Sequence, residues 1–241
     1  MKPADFDFLR GYLKDESGLA LSPDKVYLAE SRLMPVARRH ELAGLDALMA
    51  ELRTLRNPAL AVDVVEAMTT NESFFFRDIK PFESLRDAVL PALAAARRAQ
   101  GAQRLRIWSA ACASGQEPYT IAMLLRESPA RLAGLDCEIV ATDLSAEILA
   151  RAEAGLYSQF EAQRGLPIQL LVKYFSQEGE QWRIAPALRA MVRFERLNLL
   201  RGLARLGRFD IVFCRNVLIY FDAPTKADVL ARIRAQMADD G

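Results

Sequence analysis

Apolar side chains recur at helical spacing through the first ninety residues. The spacing predicts amphipathic helices, including one that starts at Ser22-Pro23 and runs toward Arg39. The apolar faces that mark the other helices are Phe6, Leu9 and Leu13; Leu45, Leu48, Leu52 and Leu55; Leu60, Val64 and Met68; and Phe82, Leu85, Val89 and Leu90. We therefore predict an N-terminal all-helical domain with a linker helix over residues 1–90.

The pattern changes near residue 105, where short apolar runs begin to alternate with helical patterns. The predicted strands are 105–111, 137–143, 192–198 and 209–216, and the predicted helices between and after them include 117–127, 146–154 and 225–237. A hairpin is also indicated near 173–184. This alternation is typical of an α/β domain with a mostly parallel sheet, which we place at 91–241.

The last predicted strand is followed by a helix with no strand after it. In a doubly wound sheet a crossover helix leads to the next parallel strand. We therefore expect that the C-terminal strands are missing and that this chain is C-terminally truncated; a naturally small sheet is the alternative.

A turn of small residues, 110–115, joins the first predicted strand to its helix. It contains neither G-x-G-x-x-G nor G-x-x-x-x-G-K-[ST], so a pyrophosphate ligand is disfavoured. Small side chains let a ligand approach the backbone, and a nucleoside without phosphates, such as S-adenosylmethionine, stays open. An ordinary strand–helix turn packed for its own sake is the other interpretation.

Asp143 ends the second predicted strand, where doubly wound folds place an acid on the two hydroxyls of a ribose. The alternative is that Asp143 caps the following helix. Ser145 is equally able to supply that cap, which would leave Asp143 for a ligand.

Composition removes several classes of function. Lys and Arg number 32 against 31 Asp and Glu, and the net charge of +1 gives no overall attraction to nucleic acid or to a membrane surface. Three cysteines without a secretory signal indicate the cytoplasm, and no apolar run is long enough for membrane insertion. His40 is the single histidine, so we expect no metal site.

Four segments together resemble the CheR-type chemotaxis receptor methyltransferases: 69–77 (TTNESFFFR), 108–119 (WSAACASGQEPY), 141–143 (ATD) and 213–221 (FCRNVLIYF). The resemblance implies an S-adenosylmethionine-dependent protein-glutamate O-methyltransferase that acts on glutamate-bearing helices of chemoreceptors. It also implies an N-terminal helical domain and a Rossmann-like methyltransferase domain with an inserted antiparallel β-subdomain near 170–195.

The same resemblance implies which residues form the site. By matching motif positions the cofactor would contact Asn71, Ser73, Arg77, Glu117, Asp143, Asn198, Leu199, Asn216 and Val217. Arg77 is the candidate for positioning the substrate carboxylate, and a surface ion pair with Asp78 is its plainer interpretation.

A glutamate carboxylate is ionised at neutral pH, since its pKa is about 4.3, and its methylation needs no general base. This agrees with the near absence of histidine. Two other functions stay open: a methyltransferase for another substrate class, such as nucleic acid, and a non-catalytic cofactor-binding sensor or scaffold. Arginines of the helical domain are a candidate docking surface for an acidic receptor helix: Arg32, Arg38, Arg39, Arg53 and Arg56.

Overall fold

The computed structural model describes residues 1–132 and 134–241, and within them the chain forms two compact units. The first contains Met1–Thr70 and Asn216–Leu230, and the second contains Asn71–Arg215 and Ala231–Gly241. The predicted boundary between residues 90 and 91 therefore differs from the observed division, because the helical stretch that follows residue 79 belongs to the second unit.

The first unit is helical. Its first helices are α1 (Pro3–Ser17), α2 (Val26–Arg39), α3 (Leu45–Thr54) and α4 (Pro58–Met68). The α4 helix starts where the sequence predicts, since the Asn57 side chain accepts a hydrogen bond from the Leu60 amide at 3.1 Å and Pro58 occupies the first turn. The predicted apolar faces supply fully buried side chains to this unit: Leu9, Leu13, Leu48, Leu52 and Leu60.

Residues 216–230 complete the first unit through contacts with the end of α1. Gly18 ends that helix at a φ of 79°, and a β-carbon added there would lie 3.1 Å from atoms of Phe221 and Thr225. Lys14 forms a 2.7 Å ion pair with Asp222. The sequence predicts this stretch to be part of the α/β domain, whereas the tertiary contacts place it with the helical unit.

The second unit contains the remaining helices, of which the last crosses the division at Leu230. They are α5 (Lys80–Ser84), α6 (Leu90–Ala99), α7 (Gln116–Glu127), α8 (Pro129–Leu132), α9 (Ala146–Ala154), α10 (Gln159–Gln163), α11 (Ile168–Tyr174), α12 (Pro186–Arg189) and α13 (Ala223–Arg234). A π-helical turn, Leu85–Val89, joins α5 to α6. Pro91 accounts for it, because proline cannot donate to a carbonyl four residues back and its ring displaces that carbonyl.

The strands form a four-stranded and a three-stranded sheet. Their bounds are β1 (Arg104–Ala110), β2 (Asp136–Asp143), β3 (Leu156–Ser158), β4 (Phe175–Glu178), β5 (Gln181–Ile184), β6 (Val192–Arg196) and β7 (Ile211–Cys214). The larger sheet has the order β6-β2-β1-β7 and is parallel throughout. The predicted α/β architecture with a parallel sheet is confirmed.

The smaller sheet is antiparallel and has the order β3-β5-β4. The predicted hairpin is its β4–β5 pair. Its strands lie between Leu156 and Ile184, whereas the sequence interpretation placed the β-subdomain at 170–195. The difference has two causes: β3 is a three-residue strand without a recognisable apolar pattern, and β6 at 192–196 pairs with β2 of the parallel sheet.

Phe75 connects the segment after residue 70 to the core of the second unit. Its side chain is fully buried, and its ring meets the rings of Tyr157 and Phe175 edge-on, with centroids 5.1 and 5.5 Å away. The phenylalanine run therefore anchors this segment, as core packing predicts.

Within the described ranges, none of the helices has both the length and the apolar composition that crossing a membrane requires.

Candidate active site

The carboxyl ends of the parallel strands bring several of the predicted site residues of the second unit to one edge. Ala110 of β1 pairs in register with Thr142 of β2 and with Cys214 of β7, and Asp143 pairs with Arg196 of β6. The residues that follow these strands therefore meet at this edge, which is where open α/β sheets bind ligands. They are Glu117, Asp143, Asn198, Leu199 and Arg215.

The turn between β1 and α7 has an unusual backbone. Ala111, Ala113 and Gly115 all have positive φ, at 58°, 48° and 90°. At Gly115 an added β-carbon would lie 3.0 Å from the Ala152 β-carbon and 3.2 Å from the Tyr157 hydroxyl. Glycine is thus required here by its φ and by close packing against the neighbouring chain, which supports the packing interpretation of the small-residue turn; approach of a ligand to this turn stays a prediction.

Asp143 is buried and ties this turn to the end of β2. Its Oδ2 accepts a hydrogen bond from the Ala113 amide at 2.9 Å, and its Oδ1 accepts one from the Ser145 amide at 3.1 Å. The cap of α9 is supplied by the Ser145 hydroxyl, which accepts from the Ile148 amide at 3.2 Å. Asp143 is therefore not the cap. A carboxylate oxygen can accept more than one hydrogen bond, so these backbone contacts do not exclude contact with a ligand.

Glu117 lies in the first turn of α7 among polar partners, with 13% of its side chain exposed. Its Oε1 accepts from the Ser109 hydroxyl at 2.7 Å, and its Oε2 pairs with the Arg215 guanidinium at 3.0 Å. Burial raises the pKa of the Glu117 carboxyl above its ordinary value, while Ser109 and the charge of Arg215 act to lower it. The arrangement holds both oxygens of the Glu117 carboxyl in place at the sheet edge.

Sequence reasoning missed Arg215. Besides pairing with Glu117, its Nη2 donates to the Arg77 carbonyl at 2.5 Å and lies 3.1 Å from the Asp78 carboxylate. Its guanidinium also lies over the Phe82 ring, 5.0 Å from the centroid. The sequence does carry a signal for Arg215, because a charged side chain directly after a buried strand needs polar partners at that edge of the sheet. It does not show that these partners are Glu117, Arg77 and Asp78.

The guanidinium of Arg77 does not form the surface ion pair with Asp78 that was the alternative to a role at the site. Its Nη1 donates to the Glu72 carbonyl at 2.7 Å, and it lies 5.6 Å from the Phe74 ring centroid. Asp78 pairs with Arg215, so the proposed Arg77–Asp78 ion pair is wrong. In the described parts of the chain, no carboxylate lies within ion-pair distance of Arg77.

The other predicted residues fall into two groups. Asn71 and Ser73 are half-buried in the segment that carries Arg77, and the Asn198 side chain accepts from the Leu200 amide at 2.9 Å beside buried Leu199. Asn216 and Val217 belong to the helical unit, where Asn216 is exposed at a φ of 57°. Their part in cofactor binding stays a prediction.

Comparisons with known proteins match both units. Residues 4–69 match the family model described as CheR methyltransferase, all-alpha domain, and residues 71–241 match CheR methyltransferase, SAM binding domain. The boundary between the two matches lies beside the division between Thr70 and Asn71 in the structure.

Named relatives match over nearly the whole chain. "Chemotaxis protein methyltransferase 1" of Pseudomonas aeruginosa is 45% identical over 99% of this chain and 87% of that protein. "Chemotaxis protein methyltransferase Cher2" of Pseudomonas putida is 42% identical over 98% of this chain and 86% of that protein. "Chemotaxis protein methyltransferase" of Vibrio parahaemolyticus is 40% identical over 98% of this chain and 84% of that protein.

Proposed function

Because this chain belongs to the CheR methyltransferase family, we propose that it forms methyl esters on glutamate side chains of chemoreceptors. Residues 71–241 are the S-adenosylmethionine-binding methyltransferase domain of that family. One observation at the site supports a carboxylate acceptor. Arg77, near the sheet edge, has no carboxylate within ion-pair distance in the described residues, so its guanidinium can receive one from the substrate.

The residues at the sheet edge fit S-adenosylmethionine. The paired oxygens of Asp143 match the two hydroxyls of a ribose, and Asp143 is held in place by backbone amides on both sides. Glu117 offers a buried carboxylate to the methionine ammonium. When bound, S-adenosylmethionine supplies a methyl group on a positively charged sulfur, ready for in-line displacement.

The chain's own residues then need only to align the acceptor. A substrate glutamate with a pKa near 4.3 is already ionised at pH 7, so no side chain has to remove a proton. Arg77 holds one carboxylate oxygen and leaves the other to attack the methyl carbon, since a grip on both oxygens would slow the attack. Phe74 and Phe76, each half-buried on either side of Phe75, limit water beside Arg77.

The acceptor in this proposal is a glutamate on the helical cytoplasmic part of a chemoreceptor, and the protein works in the cytoplasm. The candidate docking arginines of the helical unit are only partly available. Arg32 donates to the Met68 and Thr69 carbonyls, Arg39 pairs with Asp63, and Arg53 pairs with Asp5. Arg38 and Arg56 are therefore the stronger candidates for receptor contact.

The test compares Arg77→Ala with wild type in two assays. Methyl transfer from labelled S-adenosylmethionine to a chemoreceptor cytoplasmic fragment should fall by about 100-fold or more, because the acceptor loses its positioning group. Affinity for S-adenosylhomocysteine, measured by calorimetry, should change by less than about tenfold. Arg208→Ala, which removes an exposed arginine paired with Asp239, is the matched control.

Two outcomes would contradict the proposal. Unchanged transfer by Arg77→Ala would remove Arg77 from the mechanism. Tight binding of S-adenosylhomocysteine by the wild-type chain, without transfer to any receptor glutamate, would instead favour the cofactor-binding sensor.

A further inference from the structure

We propose that Arg215 is a positioning residue that joins the cofactor carboxylate Glu117 to the segment carrying Arg77, so that one side chain sets both groups. This inference rests on the proposed function. It goes beyond that function by assigning a role to a side chain that acts on neither the methyl group nor its acceptor directly.

The geometry that carries the inference is a fork. One end of the Arg215 guanidinium, Nη1, lies 3.0 Å from Glu117 Oε2. The other end, Nη2, donates to the Arg77 carbonyl at 2.5 Å and lies 3.1 Å from Asp78 Oδ2. A planar guanidinium fixes the separation and angle between its two ends, so the Glu117 carboxylate and the Arg77 backbone are held in a set relation.

The plane of this fork is itself fixed by buried aromatic rings. The Arg215 guanidinium lies 5.0 Å from the centroid of Phe82, which is almost fully buried. Phe82 in turn stacks on Phe213 of β7 at 5.7 Å between centroids. Arg215 follows β7 closely in the chain, so both its backbone and its guanidinium rest on the rigid sheet.

The segment between residues 71 and 79 needs such a tie. It contains neither helix nor strand, and Phe76 and Asp78 have positive φ values of 54° and 53°. Its other anchors include the buried Phe75 ring, a 3.2 Å hydrogen bond from the Phe76 amide to the Thr120 hydroxyl, and a 2.8 Å ion pair between Glu72 and Arg164. Arg215 reaches the carbonyl of Arg77 itself from outside the segment, so its removal frees the strained backbone at Arg77.

The charge of Arg215 also lowers the pKa of the Glu117 carboxyl, against the larger effect of burial, which raises it. Glu117 interacts electrostatically with Arg215, Arg77, Cys112 and Cys214. The Ser109 hydroxyl is a neutral hydrogen-bond donor to it. Burial raises the pKa of Cys214 to about 11 and raises that of Cys112, so both thiols are neutral near pH 7. Removing Arg215 therefore leaves a buried carboxylate that takes up a proton more readily.

Two substitutions separate these effects. Arg215→Lys keeps a positive charge for Glu117 but has a single donor head that cannot hold both partners. Arg215→Gln removes the charge as well. Arg208→Ala is again the control, since Arg208 is an exposed arginine whose carboxylate partner is the exposed Asp239.

The first readout is the affinity for S-adenosylhomocysteine between pH 6.5 and pH 9. We expect Arg215→Gln to bind about tenfold more weakly at pH 6.5 and to approach wild type at pH 9, as Glu117 loses its proton. Arg215→Lys should follow the wild-type profile, as should the control. A loss caused by general misfolding would not be recovered at high pH.

The second readout is methyl transfer at saturating cofactor. Both Arg215 variants should lose about tenfold or more in kcat, because each loses the tie to Arg77. Wild-type kcat in Arg215→Lys, or a pH-independent affinity in Arg215→Gln, would overturn the inference. If the wild-type chain transfers no methyl group to receptors, the proposed function fails, while the pH profile still decides whether Arg215 controls Glu117.

Discussion

At the scale of single residues, Asp143 has a structural contact beside the ribose-binding role that we propose for it. Its two oxygens accept backbone hydrogen bonds from the β1–α7 turn and from the start of α9. These contacts hold the carboxylate at the sheet edge before any ligand arrives, which lowers the entropy cost of binding. The position of Asp143 could be predicted from the sequence; the two amides that hold it could not.

We expect Asp143→Asn to weaken S-adenosylhomocysteine binding by about 10- to 100-fold, since hydrogen bonds to a charged group contribute about 1.5–3 kcal/mol. Calorimetric titration at pH 7.5 measures this directly. Glu161→Gln, which alters the carboxylate of the capping box at α10, is the control and should bind normally. An Asp143→Asn affinity within twofold of wild type would remove Asp143 from the ribose site.

Gly115 offers a second prediction at this scale. Gly115→Ala places a β-carbon 3.0 Å from the Ala152 β-carbon at a φ of 90°, so it combines strain with a clash. We expect a loss of about 1–3 kcal/mol in the free energy of unfolding. Urea denaturation followed by circular dichroism tests it. A variant as stable as wild type would show that the turn relaxes without cost.

At the scale of elements, side-chain caps decide where several helices begin. Ser145 caps α9, Asn57 caps α4, and Ser158 with Glu161 forms a reciprocal capping box at α10. Cap positions of this kind are local, so Asn57 and Ser145 are recognisable from the sequence. The three-residue strand β3 depends on pairing with β5 and carries no comparable local signal.

We expect Asn57→Ala to lower the free energy of unfolding of the helical unit by about 1 kcal/mol, because the Leu60 amide loses its acceptor. Asn57→Ser should retain most of the stability, since serine is an equally good cap. Chemical denaturation of the full chain gives both values. Equal losses in the two variants would show that some other feature of Asn57 matters.

At the scale of the whole molecule, distant parts of the second unit are joined by the Arg97 cluster, which consists of Arg97, Asp210 and Asp240. Arg97 of α6 is almost fully buried and lies 2.6 Å from Asp210, just before β7, and 2.7 Å from Asp240 near the chain end. Asp210 also accepts from the Arg106 amide of β1 at 2.6 Å. One side chain therefore joins a helix, the central sheet and the last residues of the chain.

We expect Arg97→Ala to cost about 2–4 kcal/mol of stability, because it leaves Asp210 with a poorly solvated charge. The matched control is Arg104→Ala, whose arginine forms only exposed or long ion pairs with Asp136 and Glu138. Urea denaturation at pH 7 measures both. Equal stability of the two variants would show that the cluster contributes nothing beyond a surface pair.

The same cluster predicts a pH dependence. The hydrogen bond between Asp240 and Arg97 lowers the pKa of the Asp240 carboxyl from 3.8 to about 2. A lowered carboxyl pKa stabilises the folded state above the unfolded value, and that stability is lost as the pH falls from about 4 to about 2. Asp240→Asn should therefore show a shallower loss of stability than wild type across this range; parallel acid profiles for the two proteins would contradict the assignment.

The sequence alone determined the elements whose signals are local. Apolar spacing identified the helices of the first unit and the parallel strands, and strand ends identified Asp143. The four motif segments identified the family and, through it, the cofactor. These features depend on side chains close together in the chain, where periodicity and capping rules apply.

Only the tertiary structure decided which distant side chains meet. Arg215 joins Glu117, 98 positions away, to Arg77 and Asp78, 138 and 137 positions away. The tertiary structure also places residues 216–230 with the first helices, and it pairs three strands between residues 156 and 184 in a separate sheet. The physical reason is that a partner at long sequence separation is chosen by the fold as a whole, through burial and geometry that no local pattern records.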